Sequence, residues 1–142
     1  MAGSRRFKWW IPWIGIVLVL IIGAAGVFLW KRPVAFELDD VESATVRNGN
    51  NGDEVILTQE DLQVLLDHLK SNRLIKQATF GSSGGGSFLV DLYGNGERLH
   101  RIVVISDDAV EYDGHRYQCV PGLDREFLSA LFTRNAISDK NE

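Results

Sequence analysis

The longest feature of the hydrophobic pattern has no polar interruption. Between Lys8 and Lys31, positions 9–30 read WWIPWIGIVLVLIIGAAGVFLW, 22 residues without a charge. At about 1.5 Å per residue a helix of that length reaches about 33 Å, enough for a hydrocarbon core of about 30 Å. Trp9, Trp10 and Trp13 at one end and Trp30 at the other set amphipathic rings at both headgroup levels. Pro12 falls in the first turn, where its missing N–H removes no helical hydrogen bond. The run predicts a transmembrane helix over 9–30 behind a short basic leader, residues 1–8, with Arg5, Arg6 and Lys8.

A cleaved secretory signal is the rival reading, with Gly23-Ala24-Ala25 as the small-residue cleavage site. The apolar run continues past it through Val27, Phe28, Leu29 and Trp30 and closes on Lys31 and Arg32, a stop-transfer pattern. A lipoprotein signal would need an acylated cysteine beside the run, and the sole cysteine is Cys119. A helix apolar on every side would need a large protein core to be buried in a soluble fold. The basic leader favours insertion with the N-terminus inside, so that the C-terminal domain lies outside the cytoplasm.

After a stalk at 31–40 the period changes to two. Val41 to Arg47 alternates, with Val41, Ser43 and Thr45 on one side and Ala44 and Val46 on the other. Asn48 to Asp53 supplies turn residues, and Glu54 to Leu57 resumes as a strand, so the pair reads as a hairpin. Thr58-Gln59-Glu60-Asp61 resembles a capping box, with the Thr58 hydroxyl accepting from the Asp61 N–H and the Asp61 side chain bonding back. Leu62, Leu65, Leu66 and Leu69 then form the stripe of an amphipathic helix ending near Ser71 or Asn72. Further strands are expected at Leu74–Phe80, Phe88–Tyr93, Leu99–Ser106, Ala109–Tyr112 and His115–Val120, with a loop at 81–87 and an Asp113-Gly114 hairpin turn. Asp124 can cap a second helix bearing Phe127, Leu128 and Leu131. The order ββαβββββα implies an α+β domain over 41–134, an antiparallel sheet packed by two helices, followed by a flexible tail at 135–142.

Composition adds a location for the charge. All nineteen acidic residues lie at or after Glu37, and from residue 33 onward ten basic residues face them, a formal charge of −9. Such a domain repels phosphate backbones, which excludes a nucleic-acid partner. With Cys119 alone, no internal disulfide can form and the core must hold the domain.

An anchor, a strand hairpin with an Asn/Gly turn, a Thr-capped Leu-rich helix and a final Tyr-Asp-Gly-His-Arg-Tyr hairpin together resemble small, mostly uncharacterised membrane-anchored extracytoplasmic modules of Gram-positive bacteria. The resemblance covers about residues 41–132 and implies an α+β fold without a known activity.

Candidate chemistry is sparse. His68, His100, His115 and Cys119 are the soft-metal ligands available, and His115 and Cys119, four apart on a strand, stand about 13 Å apart at roughly 3.3 Å per residue, too far to share zinc. The loop Gly81 to Ser87 matches no phosphate-binding pattern and leads into a strand. Asn48 to Asp53 holds one carboxylate where a calcium loop needs several. Asp107, Asp108, Glu111 and Asp113 fall in hairpin turns where solvated Asp is common. No cofactor, metal site or catalytic set is therefore expected. Two apolar features bear on a partner: Phe80 and Phe88 flank the Gly/Ser loop, and Ile102-Val103-Val104-Ile105 breaks the alternation, so that Ile102 and Val104 could sit in an exposed apolar patch if the strand is not covered on both faces. The expected function is a single-pass membrane protein displaying a small non-catalytic interaction domain outside the cytoplasm, with a protein partner or a second copy; the alternative is a cell-envelope enzyme or accessory subunit.

Overall fold

A computed structural model describes residues 10–30, 32–77 and 87–139, which fall into two compact units dividing between Arg32 and Pro33. The first is the helix α1, Ile11–Trp30, which carries no charged residue and none of whose residues is buried against protein. Its length and composition suit a membrane crossing. Trp10 supplies the first helical acceptor, its carbonyl taking the Ile14 N–H at 3.0 Å.

The second unit is α+β. Seven strands, β1 (Ser43–Asn48), β2 (Glu54–Ile56), β3 (Arg73–Lys76), β4 (Phe88–Gly94), β5 (Glu97–Val104), β6 (Ala109–Tyr112) and β7 (His115–Val120), form one sheet in the order β2-β1-β4-β5-β6-β7-β3. Two helices, α2 (Gln59–Lys70) and α3 (Arg125–Asp139), complete it. Every neighbouring pair is antiparallel, so the edge strands β2 and β3, six pairings apart, run in the same direction. The chain passes from one edge to the other through α2.

Register explains which residues are inside. Val46 lies opposite Val90, Val90 opposite Ile102, and Ile102 opposite Tyr112, a row crossing four strands on one face. A parallel row joins Phe88, Val104 and Val110. These residues form a single core with Leu62, Leu65, Leu66 and Leu69 of α2 and Leu128 and Leu131 of α3. A fully buried leucine contributes about 1.5–3 kcal/mol relative to exposure, so the α2 stripe is a principal anchor of the helix layer. Thr58 caps α2 as expected, its hydroxyl accepting from the Asp61 N–H at 3.3 Å, and the helix stops at Lys70 with Ser71 as C-cap.

Several expectations are corrected. The apolar run Ile102 to Ile105 splits by face: Ile102 and Val104 are fully buried in the core, while Val103 and Ile105 are half-buried on the other side. Ile102 and Val104 therefore cannot meet a partner in the folded domain. The stalk at 31–40 is largely part of the domain. Val34 pairs with Leu74, Phe36 is buried edge-on against Tyr112 with ring centroids 5.2 Å apart, and the Glu37 N–H donates to the Tyr112 hydroxyl at 3.2 Å. The tail is corrected likewise, because α3 continues to Asp139 and Asn135 is buried. Asn135 also supplies the half of the capping box assigned to Asp61: its Oδ1 accepts from the Thr58 N–H at 3.1 Å. The Asp61 carboxylate instead accepts from Asn135 Nδ2 at 2.7 Å and pairs with Arg134. The strand expected at Leu74–Phe80 is β3, ending at Lys76; Phe80 and the loop up to residue 86 lie outside the described residues.

Candidate functional site

A polar concavity of the second unit lies where the β1–β2 turn, the start of β4, the β5–β6 turn and the start of α3 converge. It is a cleft of about 500 Å³ lined by Asn48, Asn50, Ser87, Phe88, Asp107, Asp124, Arg125, Glu126 and Ser129. Local sequence makes each wall. Asn48 Oδ1 accepts from the Asn50 N–H at 2.9 Å, the Asx turn that Asn-Gly-Asn favours. Asp124 caps α3, its carboxylate accepting from the Glu126 N–H at 2.9 Å. Arg125 Nε donates to Asp107 Oδ1 at 2.8 Å, joining the turn to the helix. That hydrogen bond holds the Asp107 carboxyl below its ordinary range. Phe88 is buried, with its accessible part turned to the cleft.

Such a site offers carboxylates, side-chain amides and one guanidinium around an aromatic side chain. That is recognition chemistry for a polar peptide or loop. Among the described residues no group of three or more His, Cys, Asp or Glu could hold a metal ion.

A second cluster sits where the segment 34–42 passes under the sheet. The Asp113-Gly114 turn has φ of 48° and 81° at its two residues, the left-handed pair that a tight hairpin needs. It aims Asp113 back along β5, where Oδ1 accepts from the Arg101 N–H at 2.8 Å and Oδ2 lies 2.7 Å from His100 Nδ1. A carboxylate only accepts, so Nδ1 carries the proton. The Tyr112 oxygen is 3.1 Å from the same nitrogen, and burial pushes its phenol up to about 12. A Tyr held neutral and an oriented His could begin an acid–base set, which would need a nucleophile at His100 Nε2. Among the described residues, none hydrogen-bonds there. What the cluster does visibly is clamp residues 36–37 to β6.

The face of the sheet opposite the helices carries charge pairs. Asp91 is buried there beneath Arg101, which donates to it through Nε at 2.7 Å and a terminal nitrogen at 2.8 Å. Next to this pair Arg47 and Glu54 form an exposed one, and Ile56 on edge strand β2 is 72% exposed.

Of the residues expected to meet a partner, Phe88 alone reaches a cavity; Ile102 and Val104 are core, and Phe80 lies outside the described residues. Cys119 is buried, with its thiol donating to Asn72 Oδ1 at 3.3 Å and pushed up to about 11 by desolvation, so it is an inert packed group. His68 stacks on Phe127 at 4.5 Å and His115 bonds its own turn, so the histidines do not converge. The cleft escaped sequence reading because its walls come from four segments. The turn signals at Asn48 to Asn50 and the cap at Asp124 were visible, but nothing in the sequence places Asp107 against Arg125.

No known family and no curated protein matches the chain. A solved structure described as a "Putative Lipoprotein from Clostridium perfringens" is similar in fold, at 19% identity and a TM-score of 0.49, over 64% of this chain and 84% of that one. A likeness of that strength says nothing about activity.

Proposed function

We propose that the protein is a single-pass membrane protein that holds a small interaction domain at the outer surface of the membrane and engages a protein partner through the cleft around Phe88. One observation carries the reading: a charge-free helix of 20 residues, unburied throughout, runs within three residues into a closed α+β unit. Within that unit three carboxylates are committed to structural partners, Asp61 to Arg134 and Asn135, Asp91 to Arg101, Asp113 to His100. The cleft, in contrast, has Asn50, Glu126 and Ser129 exposed at its rim. The continuation of the apolar run through Trp30 and its close on Lys31 and Arg32, with tryptophans at both ends, support anchorage over a cleaved leader.

The test is photo-crosslinking in intact cells, with a photo-reactive residue at Asn50 or at Ser129 of the full-length chain. A discrete protein adduct from both rim positions, lost on Phe88→Ala, is the expected result. Adducts equally abundant from Gln63, exposed on α2, contradict the cleft as the seat of binding.

A further inference from the structure

The two edges of the sheet are finished differently. On the outer side of β3 the domain's own segment lies along the edge, Val34 exchanging two backbone hydrogen bonds with Leu74, each 2.7 Å. The other edge, β2, has no such cover among the described residues. Its backbone direction follows from the pairing with β1. The Asp53 carbonyl accepts from the Asn48 N–H at 2.8 Å and the Leu57 N–H donates to the Ala44 carbonyl at 3.0 Å, so residues 53, 55 and 57 turn their backbone groups inward. Glu54 and Ile56 therefore turn theirs outward. Two N–H and two C=O groups stand open along about 7 Å of strand, the template on which a further strand pairs.

The side chains define what such a strand should carry. Val55 is buried in the core, so Glu54 and Ile56 lie together on the face away from the helices. Ile56 is 72% exposed, with the half-buried Thr45 across from it on β1. An apolar residue on its free side would remove that surface from water. Glu54 receives both Arg47 hydrogen bonds, from Nε and from a terminal nitrogen, on Oε2, and its Oε1 has no partner among the described residues. A lysine or arginine on the outer side would meet that oxygen. A second copy fits less well. The chain from Pro33 onward carries a formal −9, and a two-fold pairing about Val55 would set Glu54 of one copy against Ile56 of the next.

We propose that the β2 edge takes an extended segment of a partner protein as an added antiparallel strand, with an apolar residue beside Ile56 and, two residues later, a lysine or arginine beside Glu54. Backbone pairing supplies the affinity and the two side chains the selection. Antiparallel addition continues the pattern of every pairing already in the sheet. Neither Glu54 nor Ile56 lines the Phe88 cleft, so this is a second surface and stands apart from it.

The experiment titrates the full-length chain, in zwitterionic detergent micelles, with the peptide Thr-Thr-Val-Thr-Lys-Thr-Thr and follows backbone amide shifts and amide exchange. Its valine and lysine would lie beside Ile56 and Glu54, each exchanging two hydrogen bonds with its neighbour. The expected result is saturable shifts centred on Glu54 and Ile56, with slowed exchange of those two amides. N-methylation of the valine and lysine amides should weaken binding at least about tenfold. Methylation of the threonine between them, whose N–H faces away from β2, should leave binding nearly unchanged. Glutamate in place of the lysine should weaken it about two- to fivefold. Equal binding by the two methylated peptides, shifts centred on Asn48, Asn50 and Ser129, or no saturable shift overturns the proposal. Shifts of Glu54 and Ile56 that grow with protein concentration in the absence of peptide assign the edge to a second copy and overturn it likewise. The decisive changes are made in the peptide, so no variant of the protein has to fold.

Discussion

Asn135 offers the sharpest test of the packing, because the sequence marks it as tail and the structure makes it a strut. Its Nδ2 donates to the Asp61 carboxylate at 2.7 Å and to the Leu131 carbonyl at 2.8 Å, while its Oδ1 accepts from the Thr58 N–H at 3.1 Å. Asn135→Ala removes all three. The hydrogen bond to a buried carboxylate is worth about 1.5–3 kcal/mol and a neutral one about 0.5–1.5 kcal/mol. The Leu131 carbonyl keeps its place in the helix, and Arg134 still faces Asp61, so the expected cost is about 2–4 kcal/mol. With a urea slope of about 1–3 kcal/mol per molar for a domain of this size, the midpoint falls by on the order of 1–2 M. The assay is urea unfolding of residues 33–142 followed by far-ultraviolet circular dichroism, since all four tryptophans precede Pro33. Asn135→Asp should lie lower still, because it sets a second carboxylate against Asp61. A midpoint for Asn135→Ala equal to that of the parent would refute the strut and return residues 135–139 to the status of a tail.

Gly94→Ala should cost about 1–3 kcal/mol, because a methyl group there would sit inside contact distance of the Asp40 carbonyl and 2.7 Å from Leu99 Cδ1, levering the 34–42 segment off the sheet; thermal unfolding checks it, and an unchanged midpoint contradicts the close approach. The Tyr112 phenol titrates at about 12 in the folded protein against an ordinary 10.0, so its share of stability is complete below pH 10 and is lost as pH rises toward 12. Urea midpoints measured from pH 9 to 12 should fall more steeply for the parent than for Tyr112→Phe, and parallel curves would disprove the burial argument. Cys119, buried and pushed up to about 11, should react with a thiol reagent at pH 8 only at the rate of unfolding; prompt reaction in the absence of denaturant would show that β7 is open.

Local signals were legible and distant ones were not. The stripe of leucines in α2 and its Thr58 cap are properties of twelve consecutive residues, and the structure reproduces them with little change. The alternation of β1 set Ala44 and Val46 on one side of the strand, and the structure turns that side into the core. The run at 102–105 was harder. Four apolar residues in succession do not reveal which pair faces the helices, and the buried pair was the one read as available to a partner. Phe36, Gly94 and Asn135 were missed for a common reason. Each acts on a residue far along the chain, Tyr112, Asp40 and Thr58 respectively, and no local pattern encodes that meeting. The cleft around Phe88 shares that character, since Asp107 and Arg125 are 18 residues apart and joined only by the fold.

Anchorage with the domain outside is the claim on which the rest depends, and cysteine labelling of membranes tests it most directly. Asn51, exposed in the turn between β1 and β2, is replaced by cysteine in the full-length chain, with Cys119 silent in the core. Intact cells are treated with a membrane-impermeant maleimide, and the membranes are then washed with alkaline carbonate before labelled protein is measured. The account predicts that the label is found in the washed membranes without cell lysis, on a chain that retains residues 9–30. Label that appears only after lysis, or on protein released by the carbonate wash without residues 9–30, would contradict it.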